Sequence, residues 1–132
     1  KLCREVKEKD RRHYTTLRET IIGYLKQREG IFLTVPDPLS LPTHIHFRCV
    51  QMEGQLIMQE LSRRGIAVST GSACHSRHWQ PSHVMLAMGY SEEEARQAVR
   101  VSLGRFVTSQ DVEVFLSHLD EVLTTYRHYA AL

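Results

Sequence analysis

A chain of 132 residues and 15.3 kDa has the size of one domain and can bury a single hydrophobic core without disulfides or metals. Apolar residues make up 42% and charged residues 24% of the chain, proportions that are ordinary for a soluble globular protein. The net charge is +2, and the basic residues are spread among acidic ones rather than clustered as in nucleic-acid-binding domains, so we expect no direct nucleic-acid partner.

The cysteines indicate the cellular compartment that we expect, and the first residues indicate whether the chain is part of a larger protein. Cys3, Cys49 and Cys74 are odd in number and form no CxxC pair, so they do not predict a secreted disulfide framework. Free thiols fit a reducing cytoplasm, which is the location we expect. No stretch approaches the roughly 20 apolar residues of a membrane span, so we expect no membrane partner. The chain begins at Lys1, without Met and inside a helical pattern, from which we expect a piece of a larger protein.

The first part of the chain predicts a long surface helix, a short strand and a loop. Residues 1–28 are charged, and their later apolar positions recur at three- and four-residue intervals, forming one stripe of Leu17, Ile21, Tyr24 and Leu25. Gly30 fits the residue that follows a helix end, and residues 31–33 fit a short strand. A loop comes next because proline removes a backbone donor and restricts the preceding residue; the prolines are Pro36, Pro38 and Pro42.

The middle of the chain predicts two strands around one helix. Residues 44–50 alternate in polarity and predict a strand whose apolar face contains Ile45, Phe47 and Cys49. Residues 54–64 predict a helix that stops at Gly65, and residues 66–69 predict a short buried strand. Residues 70–76 are small and prone to turns, which predicts a loop.

The last third of the chain predicts three helices and one strand. Pro81 fits the first turn of a helix over residues 82–88, and residues 91–94 form a capping-box pattern that opens another short helix. Residues 99–103 predict a strand. Residues 108–111 resemble an N-cap for a last long helix, whose apolar face contains Val112, Phe115, Leu116, Leu119, Val122, Leu123 and Tyr126.

Together these elements predict an α+β fold in which a small, mostly antiparallel sheet is covered by helices, with long helices at both ends of the chain. We expect residues 1–132 to form a single domain. The isolated glycines never form the GxGxxG or GxxxxGK[ST] patterns of phosphate-binding loops. The sequence therefore does not predict a nucleotide site of either type.

Residues 69–88 hold the most unusual group of reactive side chains. Cys74 lies in a loop of small residues, and nearby positive charge favours the thiolate form over the free thiol, whose pKa is about 8.5. Thiolate and imidazole are also zinc ligands, and the stretch offers Cys74, His75, His78 and His83. However, structural zinc sites usually contain two close ligand pairs, and no second CxxC or HxxxH pair is present, so we expect no metal. A catalytic thiol, a zinc ligand and an incidental cysteine all remain open on these local features.

Three segments in combination resemble the NifS/IscS-type cysteine desulfurases. Residues 69–74 (STGSAC), followed by 81–84 (PSHV) and 87–89 (AMG), look like the active-site segment of that family. Residues 99–106 (VRVSLGRF) are similar to its second signature, and residues 50–57 contain the Glu-Gly step at which the family begins a helix. The cysteine loop and the arginine strand are much more specific together than either is alone, and the resemblance covers nearly the whole chain.

The resemblance implies that the chain is the C-terminal small domain of an enzyme with a class V aminotransferase-like fold. Such enzymes are usually homodimers that convert L-cysteine to L-alanine and an enzyme-bound persulfide. By resemblance, Cys74 takes sulfur from the substrate and passes it to an acceptor protein, for example in iron–sulfur cluster assembly or tRNA thiolation. Arg100 matches the position that holds the substrate α-carboxylate, a role suited to a planar, permanently charged side chain; the alternative is a structural ion pair.

Two further residues are candidates beside these. His75 stands where the family has a small hydroxyl residue, and it either assists thiolate formation or proton transfer or is an exposed histidine without a role. Arg105 either orders the sheet edge or faces the active site. Cys3 and Cys49 are interpreted as bystanders, Cys49 as a small hydrophobic residue within a strand.

The cofactor implied by the resemblance is pyridoxal 5′-phosphate, which such enzymes bind through a lysine. The lysines of this chain all lie in its first predicted helix and are Lys1, Lys7, Lys9 and Lys26. We therefore expect no cofactor-binding residue in this chain, a cofactor-binding large domain outside it, and no activity of the isolated chain. The alternatives are a stand-alone sulfur-carrier or interaction module and a small zinc-binding structural domain.

Overall fold

A computed structural model of the chain describes residues 1–36, 39–71 and 80–130, apart from the side chains of residues 128–130. The helices within these residues are α1 (Leu2–Lys26), α2 (Gly54–Arg63), α3 (His83–Ala87), α4 (Glu92–Arg96) and α5 (Ser109–Ala130). The strands are β1 (Ile31–Leu33), β2 (His44–Cys49) and β3 (Ala98–Ser102). None of the described helices combines the length and the apolar character that crossing a bilayer requires.

The described strands form one antiparallel sheet in the order β1-β2-β3. Ile31 of β1 lies opposite Cys49 of β2, and His46 of β2 lies opposite Arg100 of β3. The proline-rich loop connects β1 to β2, whereas the connection from β2 to β3 contains α2, α3 and α4. The predicted α+β fold with a small antiparallel sheet and covering helices is therefore confirmed.

The two faces of the sheet differ in what covers them. On the inner face, alternate side chains of β2 and β3 belong to the main hydrophobic core, which also contains apolar residues of α1, α2 and α5; these strand residues are Ile45, Phe47, Cys49, Val99 and Val101. The intervening positions point to the outer face and are mostly polar: His44, His46, Arg48, Arg100 and Ser102. The period-two alternation of β2 and β3 thus separates a buried apolar face from a polar face.

Helix α1 is buried only along its second half. The predicted stripe contributes three residues that are at most 2% exposed, namely Leu17, Ile21 and Leu25, whereas Leu2 and Val6 are exposed. Tyr24 connects α1 to α5 by donating its hydroxyl hydrogen to the Asp120 carboxylate at 2.9 Å, and Arg28 forms an ion pair with the same carboxylate. Burial, together with the bond to Asp120, raises the pKa of Tyr24 to about 12.

Helices α3 and α4 cover one end of the outer face. Their buried contacts form a second, smaller cluster of Met85, Ala95 and Ala98. The predicted capping box at the start of α4 is confirmed: the Ser91 hydroxyl accepts the Glu94 backbone N–H at 3.1 Å, and the Glu94 carboxylate accepts the Ser91 backbone N–H at 2.9 Å. The bond from the Ser91 N–H, and the nearby Arg48 charge, hold the pKa of Glu94 below its ordinary value.

Replacing Ser91 with Ala is expected to lower the free energy of unfolding by about 1 kcal/mol. The change removes the acceptor of the Glu94 N–H from a helix of only five residues, which has few other bonds to hold its first turn. Urea unfolding followed by circular dichroism measures the effect. Ser62→Ala, at an exposed position of α2, is the control and should change stability by less than about 0.5 kcal/mol. Equal effects of the two substitutions would contradict this prediction.

Two local predictions were wrong. The predicted buried strand over residues 66–69 is absent, and only Ser69 forms an isolated antiparallel bridge, to Arg100. Because this segment meets β3 at a single residue, its side chains are not enclosed: Ile66 and Val68 are half-buried and Ala67 is exposed. The helix end also differs, since α1 ends at Lys26 and the positive φ of Gly30, 79°, instead turns the chain into β1.

Candidate functional site

Several polar segments of the chain meet on the outer face of the sheet, where β2 carries His46 and β3 carries Arg100. His46 and Arg100 are direct cross-strand neighbours on this face. Cβ atoms of such neighbours lie about 4.5–5.5 Å apart, so the imidazole and the guanidinium share a small area. Hydrogen bonds join Thr34 to His46 and Ser69 to both Arg100 and Gly71. We call these five residues the outer-face site.

Arg100 is an exposed cation between two buried residues of β3. Its neighbours Val99 and Val101 are 0% and 7% exposed and point into the core, which places Arg100 on the outer face. Ser69 fixes its backbone through two hydrogen bonds of 3.0 and 2.6 Å, and the guanidinium reaches the Ser69 hydroxyl at 3.5 Å. Within the part of the chain that the structure describes, none of the ion pairs joins Arg100 to a carboxylate.

His46 is held beside Arg100 by a buried threonine. The Thr34 hydroxyl lies 2.5 Å from Nδ1 of His46 and 3.1 Å from its carbonyl oxygen, and the Thr34 N–H donates to the same carbonyl at 3.1 Å. Tyr90 in turn donates its hydroxyl hydrogen to the Thr34 carbonyl at 2.8 Å. Burial, and secondarily the charge of Arg100, lowers the pKa of His46 below its ordinary value of 6.5, so the ring is neutral at neutral pH.

Gly71 connects this site to the segment that contains the predicted nucleophile. Its N–H donates to the Ser69 hydroxyl at 3.2 Å, and its φ is 73°. A methyl group placed on Gly71 would lie 3.9 Å from Nε2 of His46 and 4.0 Å from the Ser82 hydroxyl oxygen. Gly71 therefore lies close both to the imidazole of His46 and to Ser82, which follows the cysteine segment. The predicted site residues Cys74 and His75 themselves lie outside the described residues.

The other predicted site residues are placed differently. Arg105 forms an ion pair with Asp10 of α1 at 2.8 Å, and nearby His13 contacts the Val107 carbonyl at 2.7 Å. These contacts tie the segment after β3 to α1, which favours the ordering role of Arg105. His83 is exposed at the start of α3, and the other three candidate zinc ligands lie outside the described residues. Within the described residues, no three His, Cys, Asp or Glu side chains cluster as metal ligands would.

The lysines of the chain do not fit a lysine-bound cofactor at the outer-face site. All four are exposed, with Lys7, Lys9 and Lys26 on α1 and Lys1 directly before it. Helix α1 contributes its buried side chains to the core under the inner face of the sheet, whereas Arg100 points to the outer face. Within the described residues, Arg100 therefore lies on a different face of the sheet from the helix that carries the lysines.

The sequence pattern does not single out Thr34 or His46 as site residues. His46 occupies a polar position of an alternating strand, which is ordinary for any half-exposed strand. Thr34 follows β1 and is 3% exposed, a burial that the adjoining proline-rich sequence does not predict. The only available signal was the number of histidines in β2, where His44 and His46 flank Ile45.

Comparison with known proteins connects this chain to one family. The chain matches the aminotransferase class-V family over residues 4–115. It is 37% identical over 116 residues to cysteine desulfurase IscS 1 of Archaeoglobus fulgidus, covering 88% of this chain and 30% of that protein. It is 33% identical over 121 residues to cysteine desulfurase IscS of Dictyoglomus turgidum, covering 91% of this chain and 31% of that protein.

The structural comparison agrees with the sequence comparison. A solved NifS-like protein superposes with a TM-score of 0.76 at 27% identity, covering 89% of this chain and 29% of that one. The chain thus spans about 30% of the length of the curated relatives that it matches. It is similar to cysteine desulfurases of the IscS and NifS type over most of its own length. On the family match and the shared fold, the chain belongs to the aminotransferase class-V family.

Proposed function

We propose that this chain is the C-terminal small domain of a pyridoxal-phosphate-dependent cysteine desulfurase and that it supplies Cys74 as the sulfur-accepting thiol. The observation that carries the proposal is the position of Arg100, whose guanidinium has no carboxylate partner within the described residues and whose backbone is bonded to Ser69, just before the cysteine segment. The similarity to proteins named cysteine desulfurases supports it. Because the four lysines do not fit, the cofactor belongs to a part of the parent protein outside this chain.

In this proposal Arg100 binds and orients the α-carboxylate of L-cysteine by paired charge-assisted hydrogen bonds. The Cβ–S bond of the substrate breaks and an S–S bond to Cys74 forms, so L-cysteine and the Cys74 thiol become L-alanine and a Cys74 persulfide. His75, next in sequence, would assist removal of the thiol proton. Arg105, through its ion pair with Asp10, would keep the end of β3 in place against α1.

Exposed apolar side chains are consistent with a missing neighbouring domain. Val84 and Met88 of the α3 region are 67% and 46% exposed, and Phe106 is 90% exposed. Because the relatives are about three times longer than this chain, we propose that the remainder of the parent covers part of this surface. The parent would form a homodimer in the cytoplasm and would transfer sulfur to an acceptor protein in iron–sulfur cluster assembly or tRNA thiolation.

Replacing Arg100 with Gln in the full-length protein tests the proposal. Charge-assisted hydrogen bonds contribute about 1.5–3 kcal/mol each, so losing the guanidinium should reduce kcat/KM for L-cysteine by roughly 10- to 100-fold. Most of this loss should appear as a higher KM if the contact is already made in the bound substrate. The measurement is initial-rate kinetics of L-alanine formation.

The matched control is Arg63→Gln, which removes an exposed arginine from the last turn of α2. Arg63 is itself exposed and Glu60 keeps its second partner Arg64, so the kinetics of this variant should match those of the unmodified protein. Wild-type values of KM and kcat for Arg100→Gln would exclude Arg100 from the substrate site and would remove the main support of the proposed function.

A further inference from the structure

The contacts of His46 with Thr34 fit a neutral ring that carries its hydrogen on Nδ1. The Thr34 hydroxyl has one hydrogen, and the His46 carbonyl oxygen, 3.1 Å away, can only accept it. When the hydroxyl donates to that carbonyl, the 2.5 Å contact between the same hydroxyl oxygen and Nδ1 of His46 uses a hydrogen on Nδ1. In that arrangement the neutral ring is protonated at Nδ1, and Nε2 carries a lone pair that can accept a hydrogen bond.

Nε2 of His46 lies next to Gly71, the last described residue before the cysteine segment. Nε2 is the nearest side-chain atom to the position of a methyl group on Gly71, at 3.9 Å, with the Ser82 hydroxyl oxygen at 4.0 Å. Directly across the strand pair is the guanidinium of Arg100. A neutral hydrogen-bond acceptor and a planar cation thus stand side by side on the outer face.

This pair of groups is complementary to an α-amino acid, which presents a carboxylate and hydrogen-bond donors within a few ångströms. We infer that His46 is a second substrate-binding residue, whose Nε2 accepts a hydrogen bond from the ammonium or the thiol of the amino acid that Arg100 holds by its carboxylate. This inference rests on the proposed function. It adds a positioning contact made by a side chain that the sequence motifs do not include.

The acceptor role depends on pH through the neutral state of His46. The titratable or charged groups around the ring are Arg100 across the strands, His44 and Arg48 on the same face of β2, and Tyr90 behind Thr34. Of these, Arg100 lowers the pKa of His46, in addition to the effect of burial. As pH falls through this lowered pKa, Nε2 becomes protonated, the acceptor is lost, and binding of the donor weakens.

Nuclear magnetic resonance of the 15N-labelled chain tests the tautomer without any cofactor. Long-range 1H–15N spectra should show His46 protonated at Nδ1 and unprotonated at Nε2 near neutral pH. Arg100→Gln should raise the pKa of His46, because a neighbouring positive charge is removed. L-cysteine should shift the Nε2 resonance more than propionate does. L-alanine has the ammonium but no thiol, so a comparison of its shift with that of L-cysteine shows which of the two groups is the donor. A ring protonated at Nε2 overturns the inference.

Two substitutions in the full-length protein separate positioning of substrate from support of the fold. His46→Asn places its amide near the position of Nδ1 and keeps the contact with Thr34, but it does not reach the position of Nε2. His46→Gln places its amide oxygen near the position of Nε2. We expect His46→Asn to raise the KM for L-cysteine by about 5- to 10-fold, and His46→Gln to stay within about twofold of the unmodified protein.

The outcomes distinguish this inference from the proposed function. Wild-type KM for His46→Asn, or equal losses for Asn and Gln, overturns the role of His46 while Arg100→Gln remains impaired. If Arg100→Gln also has wild-type kinetics, the proposed function itself is wrong. An acidic limb of the pH profile of kcat/KM that disappears in His46→Gln supports the inference, since Gln does not titrate.

Discussion

Replacing Cys74 with Ser in the full-length protein is expected to reduce persulfide formation from L-cysteine by at least about 100-fold. A serine hydroxyl is nearly isosteric with the thiol, but it is not a soft nucleophile at neutral pH and cannot form a persulfide. The cofactor absorption spectrum should remain unchanged, because the proposed function places the cofactor-binding lysine outside this chain. Mass spectrometry of the protein after one turnover, combined with the rate of L-alanine formation, measures the effect.

The chain offers matched controls for this substitution. Cys3 is exposed on α1, and Cys49 is buried in β2 with a pKa raised by burial. Cys3→Ser should retain full sulfur transfer, and the persulfide should be absent from both Cys3 and Cys49 peptides. A persulfide on either of these residues, or normal sulfur transfer in Cys74→Ser, would exclude Cys74 as the accepting thiol.

Replacing Gly54 with Ala is expected to destabilise the isolated chain by about 3 kcal/mol, a large part of the stability of a small domain. A Cβ atom on Gly54 would lie 2.1 Å from the carbonyl oxygen and 2.9 Å from the carbonyl carbon of Ala98. Both are backbone atoms of a fully buried residue, so neither can move aside as a flexible side chain would. Helix α2 would have to move away from β3, which opens the core around Ile57 and Leu61.

Replacing Gly23 with Ala should have the opposite effect on the stability of the same chain. Gly23 is an exposed residue inside α1, and a Cβ there meets no atom within 4 Å. Because Ala favours the helix, this substitution should stabilise the chain by about 0.5–1 kcal/mol. Urea unfolding of both variants, followed by circular dichroism, measures the two changes. If Gly54→Ala is tolerated as well as Gly23→Ala, the close approach of α2 to β3 is not present in solution.

Local sequence patterns predicted most of the elements of this fold. The stripe of Leu17, Ile21 and Leu25, the alternation in β2 and the capping box at Ser91 each report a local preference that the folded structure keeps. The prediction for residues 66–69 was wrong for a related reason. A short apolar run indicates burial, but it does not say whether a neighbouring strand offers more than one residue for pairing.

The residues of the site also divide into those that the sequence identifies and those that only the folded structure identifies. The sequence by itself marks Arg100 and the cysteine segment, because an arginine inside an apolar strand and a thiol among small residues are visible without coordinates. It also indicates where each helix and strand lies along the chain, since periodicity depends only on local geometry. It does not indicate which strands pair or in what register.

Tertiary structure alone decided that His46 faces Arg100, that Ser69 bonds to the Arg100 backbone and that Gly54 touches Ala98. Each of these contacts joins residues far apart in sequence, and each depends on strand register or on the distance between a helix and a strand. A shift of one residue in the register of β2 against β3 would turn His46 into the core. The amino-acid sequence and its local helix preferences would be the same in both registers. The physical reason is that register is set by the packing of the whole inner face, not by the residues that form the site.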